Sequence, residues 1–334
     1  MFSNARSSRD LLFRQSARKL TADFIQSRST QEIVMPLPAI SLVAVPGRRR
    51  LTLEIARDIE RRGYAGIYTP SMYGNMSQCE AMCWNTERIP FGTAIAPIYV
   101  RTVLDFAQSA AFMHEVSSGR FRLGIGVAHA PGHQRMGVTV GKPLADTRAF
   151  IEKLRAVEGV GEFPPIVIAA LRRKMVALAG EISQGVVFAN AARSHMAASL
   201  AALPPAARND PAFFIGNMLP ICISDEVEAA RAVCRKNLVH YAFLPNYRNY
   251  WKEAGYVEEM TAIEHAIGQG RHDEVPRFLT DRWLADVALF GPASRVREGV
   301  EAWQAAGVHT PVIVPASTSG GQLKALEEIF ATFG

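Results

Sequence analysis

From Ala39 onward the chain alternates short β-branched runs with amphipathic helical stretches, and this alternation constrains its fold more than any other feature. Strands that are each followed by a helix run parallel, because the crossover returns the chain to the same end of the sheet. Ala39 to Val45 reads as the first strand. Leu51 to Arg62 reads as a helix, with Leu51, Ile55 and Ile59 spaced by four and Gly63 at its end. Further strands are predicted at Gly66 to Thr69, Pro90 to Ala96, Phe121 to Val127, Pro165 to Ala170, Gly185 to Phe188, Phe213 to Ile223 and Pro311 to Val314. Thr102 has the chemistry of an N-cap for a helix from Val103 to Val116 that Gly119 closes. Helices are also expected at Asp146 to Val157 and Lys174 to Ile182.

Eight strands joined mostly by helices predict an α/β fold, a (β/α)8 TIM barrel, rather than a doubly wound sheet. No glycine-rich dinucleotide turn follows the first strand. Gly124-x-Gly126 in the fourth lacks the third glycine and leads into a His/Pro/Gly loop. One segment breaks the rhythm. Between the seventh and eighth strands lies a long, mostly helical insertion rich in aromatics (Tyr241, Phe243, Tyr247, Tyr250, Trp251 and Tyr256), which suits a lid, a substrate pocket or a subunit interface.

With 49% hydrophobic and 20% charged residues, the chain has enough apolar surface for a large core, which excludes disorder, a collagen-like fibre and a coiled coil. Its formal charge of +6 is unevenly placed. Residues 1–34 carry six basic side chains (Arg6, Arg9, Arg14, Arg18, Lys19 and Arg28) against Asp10, Asp23 and Glu32, half of the excess. This serine-rich stretch lacks a core pattern and is expected to be a disordered or loosely helical extension, either a transit-type segment or chain upstream of a start at Met35; residues 35–334 form the barrel domain. The remaining charge is mild, so no nucleic-acid partner is expected, and no apolar run reaches the length of a membrane span. Arg48-Arg-Arg50 at a helix start is either solvated or helps to hold an anionic tail. Four cysteines are too few for a disulfide scaffold and point to the reducing cytoplasm. Cys79 and Cys83 are four apart on an expected helix, but no second ligand pair accompanies them, so no metal site is predicted.

Three blocks together resemble the luciferase-like monooxygenase superfamily, particularly its branch of deazaflavin-dependent methylenetetrahydromethanopterin reductases. They are Arg88-Ile-Pro-Phe-Gly-Thr-Ala-Ile-Ala-Pro97, Gly119-Arg-Phe-Arg-Leu-Gly-Ile-Gly-Val127 and Ile166-Val-Ile-Ala-Ala-Leu-Arg-Arg-Lys-Met175. A fourth, Phe290-Gly-Pro-Ala-Ser-Arg-Val-Arg, is similar to the family's penultimate helix. The resemblance covers nearly everything from Met35 onward. It implies a barrel that holds FMN or the deazaflavin coenzyme F-420 at the carboxyl ends of the strands. It further implies a non-proline cis peptide between Ala94 and Ile95, just after Thr93, against the cofactor ring. By the same resemblance Gly126, Val127 and Ala128 flank the ring, and Ala170, Leu171, Arg172 and Arg173 hold a phosphate ahead of the helix near Lys174. Asn190, after the sixth strand, is a candidate contact to the ribityl or phosphate group. Two features depart from the family pattern. Arginines stand where relatives have small residues, and the loop Thr69-Pro-Ser-Met-Tyr-Gly-Asn75 has neither the acid nor the histidine that many relatives place there.

His129 and His133 follow the fourth strand, on the face where a barrel keeps its active site, and His129, nearer the strand end, is the candidate proton donor or substrate anchor. Because Pro131 and Gly132 are expected to break a helix here, a metal pair is not predicted. Ser71, Tyr73, Asn75, Tyr99 and Arg101 are weaker candidates for polar contacts. The resemblance implies a flavin- or deazaflavin-dependent oxidoreductase acting on a small organic substrate. One alternative is an FMN-dependent monooxygenase that uses O2 and a partner flavin reductase; another, of a different class, is a non-catalytic flavin-binding protein. A homodimer is expected from the same relatives.

Overall fold

The computed structural model describes residues 36–71 and 74–334, so the expected extension and Tyr73 lie outside the described residues. Ten parallel strands form one sheet: β1 (Ala39–Ser41), β2 (Ile67–Pro70), β3 (Phe91–Ala94), β4 (Ala96–Pro97), β5 (Phe121–Gly126), β6 (Ile166–Ala169), β7 (Gly185–Ala189), β8 (Phe214–Ile223), β9 (Leu289–Gly291) and β10 (Thr310–Ala316). β3 and β4 together make the third barrel strand, and both pair with β5. Closure comes from β10, which pairs with β1 through Ala39 and Val312 and with β8 along its length. The eight-stranded TIM-barrel architecture is therefore as the sequence predicts, and no helix among the described residues is long and apolar enough to cross a membrane.

Three local expectations need correction. The first strand stops at Ser41 rather than Val45, because Gln78 Oε1 and Gln322 Oε1 take the amides of Ala44 and Val43 in place of a neighbouring strand. Phe290 and Gly291 are not helical but belong to β9, which pairs with the overhanging end of β8; the helix begins at Ala293. Pro131 and Gly132 do not break a helix. Ala130–Met136 is helical, with Pro131 in the first turn, where its missing N–H is one the helix would leave unbonded anyway.

Alternate strand residues face inward and outward, which separates two apolar clusters. The outer cluster lies between strands and helices, and the inner one (Ala39, Tyr68, Ile95, Val167, Val187, Phe214, Met218 and Val312) fills the barrel. The amino-terminal end of the barrel is plugged by bulk. Arg122 Nη1 donates to Tyr68 Oη at 3.3 Å, its guanidinium lies 5.6 Å from the Phe214 ring centroid, and Tyr68 packs on Phe214. The carboxyl end is the opposite: inward residues there are small (Ser41, Ala94, Gly126, Ala169, Ala189), leaving a shallow, half-buried mouth.

Glu60 positions the entry to β3. Its carboxylate accepts hydrogen bonds from the amides of Glu87, Arg88 and Ile89. Burial acts to raise its pKa, but these amides, with the charge of Arg120, outweigh burial and hold it below the ordinary value of 4.5. A lowered folded-state pKa stabilises the fold above the unfolded value and loses that contribution as pH falls through the folded one. Glu60→Gln is thus expected to cost about 1 kcal/mol at pH 7, solvent screening included. Urea unfolding at several pH values checks this: the gap between wild type and variant should close only below pH 4.5.

Candidate active site

The loops after the strands build the site at the small-residue mouth. The Ala94–Ile95 peptide is cis, as the resemblance implies. Asn75 holds this turn, donating from Nδ2 to Ile95 O at 3.0 Å and to Pro70 O at 3.2 Å, and Thr93 Oγ1 donates to Gly124 O at 2.6 Å. Across the mouth, a Cβ on Gly126 would lie 3.0 Å from Ala169 Cβ and 3.1 Å from the Ile95 side chain, so only glycine fits without displacing the floor.

After β5 the chain turns through Ala128, at φ +57°, into His129, which precedes the helix Ala130–Met136. That helix buries none of its residues and is moored by His133 within it and by His129 just before it. His133 Nε2 lies 2.5 Å from Val127 O; the carbonyl can only accept, so Nε2 carries the proton. The His133 ring meets Tyr99 edge-on, and Tyr99 Oη donates to Asp146, which also accepts from the Gly141 amide. His129 packs edge-on against Tyr247 of the insertion, with centroids 5.5 Å apart. Burial, and then the neighbouring His133, lower the His129 pKa, which keeps the ring neutral at neutral pH.

After β6, Ala170 is buried and its amide donates to Val187 O, while Leu171 is half-buried. The helix Arg173–Ile182 starts here with Arg172 as its N-cap residue. Arg172 Nε and Nη2 both bond Glu253 Oε1, at 2.8 and 2.5 Å, so its charge is already matched. Arg173 and Lys174 are exposed and form no ion pair among the described residues, and the first turn has no acidic residue. Cations at a helix N-terminus oppose the helix dipole, which favours negative charge there.

After β7, Asn190 sits in the left-handed region at φ +54°, which asparagine tolerates better than most residues. It is 3% exposed; its carbonyl accepts from Trp251 Nε1, and its amide bonds Met218 O. Its Nδ2, however, has no partner, nor does Ser41 Oγ at the end of β1, a residue 1% exposed. Beyond it, Ser194, Tyr256 and Asp286 are hydrogen-bonded along a surface depression of about 390 Å³ also lined by Arg193 and Arg282.

Most predicted residues thus collect at one mouth: Thr93, Ala94, Ile95, Gly126, Val127, Ala128, His129, Ala170 to Arg173 and Asn190 all end or follow β3, β5, β6 or β7. Arg101 is turned to Asp105 and Ser109 of the helix Val103–Val116, and Arg48 to Arg50 are exposed at the start of the helix Arg49–Arg61. Cys79 and Cys83 are buried, and no cluster of three or more metal-binding side chains occurs among the described residues. Sequence reasoning did not single out Ser41, Gln78 or Gln322, whose part depends on the closing of the barrel.

The profile of the luciferase-like monooxygenase family matches residues 34–310. A putative coenzyme F420-dependent oxidoreductase of Mycobacterium tuberculosis is 26% identical over 79% of this chain and 90% of its own. Among solved structures, the coenzyme F420-dependent tetrahydromethanopterin reductase of Methanopyrus kandleri superposes with a TM-score of 0.70 at 17% identity, over 88% of this chain and 97% of that one. The oxygenating constituent of 3,6-diketocamphane monooxygenase from Pseudomonas putida, in complex with FMN, gives 0.54 at 16% identity, over 84% and 92%.

Proposed function

Because the chain belongs to the luciferase-like monooxygenase family, we propose that it is a deazaflavin-dependent oxidoreductase that acts on a small organic substrate at the mouth of the barrel. The observation that carries this reading is the unmatched positive charge of Arg173 and Lys174 at a helix N-terminus. An anionic tail bound there satisfies the free amides, the dipole and both side chains at once. A deazaflavin tail carries a phosphodiester and further carboxylates and so uses more cations than the single phosphate of FMN. The relative from Mycobacterium and the reductase from Methanopyrus favour the same choice by name.

The residues fit such a group. Small side chains at the mouth leave a flat floor, and Asn190 Nδ2 and Ser41 Oγ are buried polar atoms that still need partners. Ala94, Ile95, Gly126, Val127 and Ala128 would border the ring, Thr93 would support it from β3, and Ala170 to Lys174 would hold the tail. When bound, the reduced cofactor supplies a hydride. The protein's part is to orient, to exclude water and to manage a proton, for which the neutral imidazole of His129 is the group at hand. A partner enzyme that reduces the cofactor belongs to this reading. FMN with O2 is the second reading, favoured by the likeness to the FMN-bound monooxygenase constituent.

Titrating the purified protein with F-420 and with FMN, followed by visible absorption and fluorescence, tests the proposal. Saturable binding of F-420 at one per chain, tighter than FMN, is the expected result. Tighter FMN binding with substrate-dependent O2 consumption would establish the second reading, binding without turnover would leave a carrier protein, and binding of neither would overturn the cofactor assignment.

A further inference from the structure

A single helix of the insertion touches three of the loops that build the mouth. The helix Pro245–Glu253 reaches the loop after β5 through Tyr247, whose ring packs edge-on against His129 at 5.5 Å. It reaches the loop after β6 through Glu253, which accepts both hydrogen bonds from Arg172. With the loop after β7 it makes two bonds: Trp251 Nε1 donates to Asn190 O at 3.1 Å, and Tyr250 Oη accepts from the Ala192 amide at 3.2 Å. Tyr247, Tyr250 and Trp251 share a side of the helix because residues three and four apart are neighbours there, and Tyr250 and Trp251 are fully buried.

Two of these loops need such support. Ala128 and Asn190 adopt left-handed backbone angles, φ +57° and +54°, which residues other than glycine keep only where their surroundings fix them. Ala128 immediately precedes His129, and Asn190 is itself bonded to Trp251. The turn after β7 has its backbone committed: the Asn190 amide bonds Met218 O, the Ala191 amide bonds Asn217 Oδ1 and the Ala192 amide bonds Tyr250, while Asn190 Nδ2 has no partner. The helix is braced from a second side. Arg248 Nη1 donates to Ala242 O at 2.7 Å, Arg248 Nε and Lys252 Nζ both donate to Glu264, and Trp283 packs edge-on against Trp251 at 4.8 Å. A helix held in this way imposes its position on the loops rather than yielding to them. We infer that the helix Pro245–Glu253 sets the relative placement of the three loops, and that Tyr250 and Trp251 are positioning residues that act through Asn190 on the ligand of the mouth.

That ligand is the cofactor of the proposed oxidoreductase reading, on which this part of the inference rests, whereas the hold on the loop is tested without it. Trp251→Phe keeps an aromatic ring and removes the bond to Asn190 O; Tyr250→Phe removes the acceptor of the Ala192 amide. In the full-length protein without cofactor, amide hydrogen exchange followed by NMR should quicken about tenfold at Ala191 and Ala192 in either variant and stay unchanged at Val186 to Phe188 of β7. F-420 affinity should fall about tenfold for Trp251→Phe alone but less than about twofold when Asn190→Gly is already present, because the group being positioned is then gone. Thr86→Val is the control for general destabilisation. It removes two hydrogen bonds at the opposite end of the barrel, to Met82 O and from Arg120, and should lower the melting temperature with no change in F-420 affinity. Unchanged exchange in both variants, an equal loss of affinity with and without Asn190, or a loss in Thr86→Val matching that in Trp251→Phe would overturn the inference. If the wild type does not bind F-420, the proposed function falls, and the exchange rates still decide whether the helix holds the loop.

Discussion

Gly124→Ala is expected to remove about 4 kcal/mol of stability, most of what a domain of ordinary stability possesses. An alanine Cβ at this position would lie 1.8 Å from Thr93 O and 2.9 Å from the Thr93 carbonyl carbon. Neither is a flexible side chain that could move aside. Both belong to β3, which is locked to β5 by the pairs Phe91 with Phe121 and Gly92 with Arg122, and by the bond from Thr93 Oγ1 to Gly124 O. The strands can admit a methyl group only by parting, and parting opens the barrel beside its mouth. Gly268→Ala is the control: this residue ends the helix Val257–Gly268 with nothing within 4 Å of an added Cβ, and there alanine should be neutral or stabilising by about 0.5 kcal/mol. Denaturant unfolding of the two variants, compared with wild type, decides it; equal midpoints for all three would mean that β3 and β5 do not approach as described.

The double substitution Arg173→Glu with Lys174→Glu should act in opposite directions on two measurements. Cofactor affinity is expected to fall at least a hundredfold, about 3 kcal/mol, because two charge-assisted contacts become repulsive. Stability should hold or rise slightly, since acidic residues suit a helix N-terminus and the wild-type side chains form no ion pair among the described residues. Added salt should weaken binding to the wild type and have less effect on the variant. Fluorescence titration with F-420 beside thermal melting provides both readings. Unchanged affinity would remove the tail from this helix, and affinity lost together with stability would reduce the effect to damaged folding.

The barrel was legible because most of its strands are short apolar runs followed by a helix, a pattern set by local chemistry. β9 was not, since Leu289–Gly291 becomes a strand only by lying along Ile221–Ile223, an overhang that exists once β8 has formed. Pro131 misled for a local reason: the same ring that stops a helix in its interior is harmless in the first turn. The site was legible in the residues that end strands, such as Gly126, Ala128 and Asn190, because a barrel places those ends together wherever they fall in the chain. Tyr247 stood out only as one aromatic among several, and its nearness to His129 depends on how the insertion folds back. The pairing of Arg172 with Glu253 is equally invisible without coordinates, and it passes the unmatched charge to Arg173 and Lys174.

The seam that joins β1 to β10 has a consequence for biosynthesis. Ala39 waits for Val312, so while the chain is being made the first strand has an unpaired edge, and such edges invite association with other chains. The insertion lies between β8 and β10, and at roughly 5–20 residues per second its synthesis holds the nearly complete sheet open for on the order of ten seconds more. The aromatic segment beside the mouth therefore also lengthens the time for which the nascent protein needs shelter.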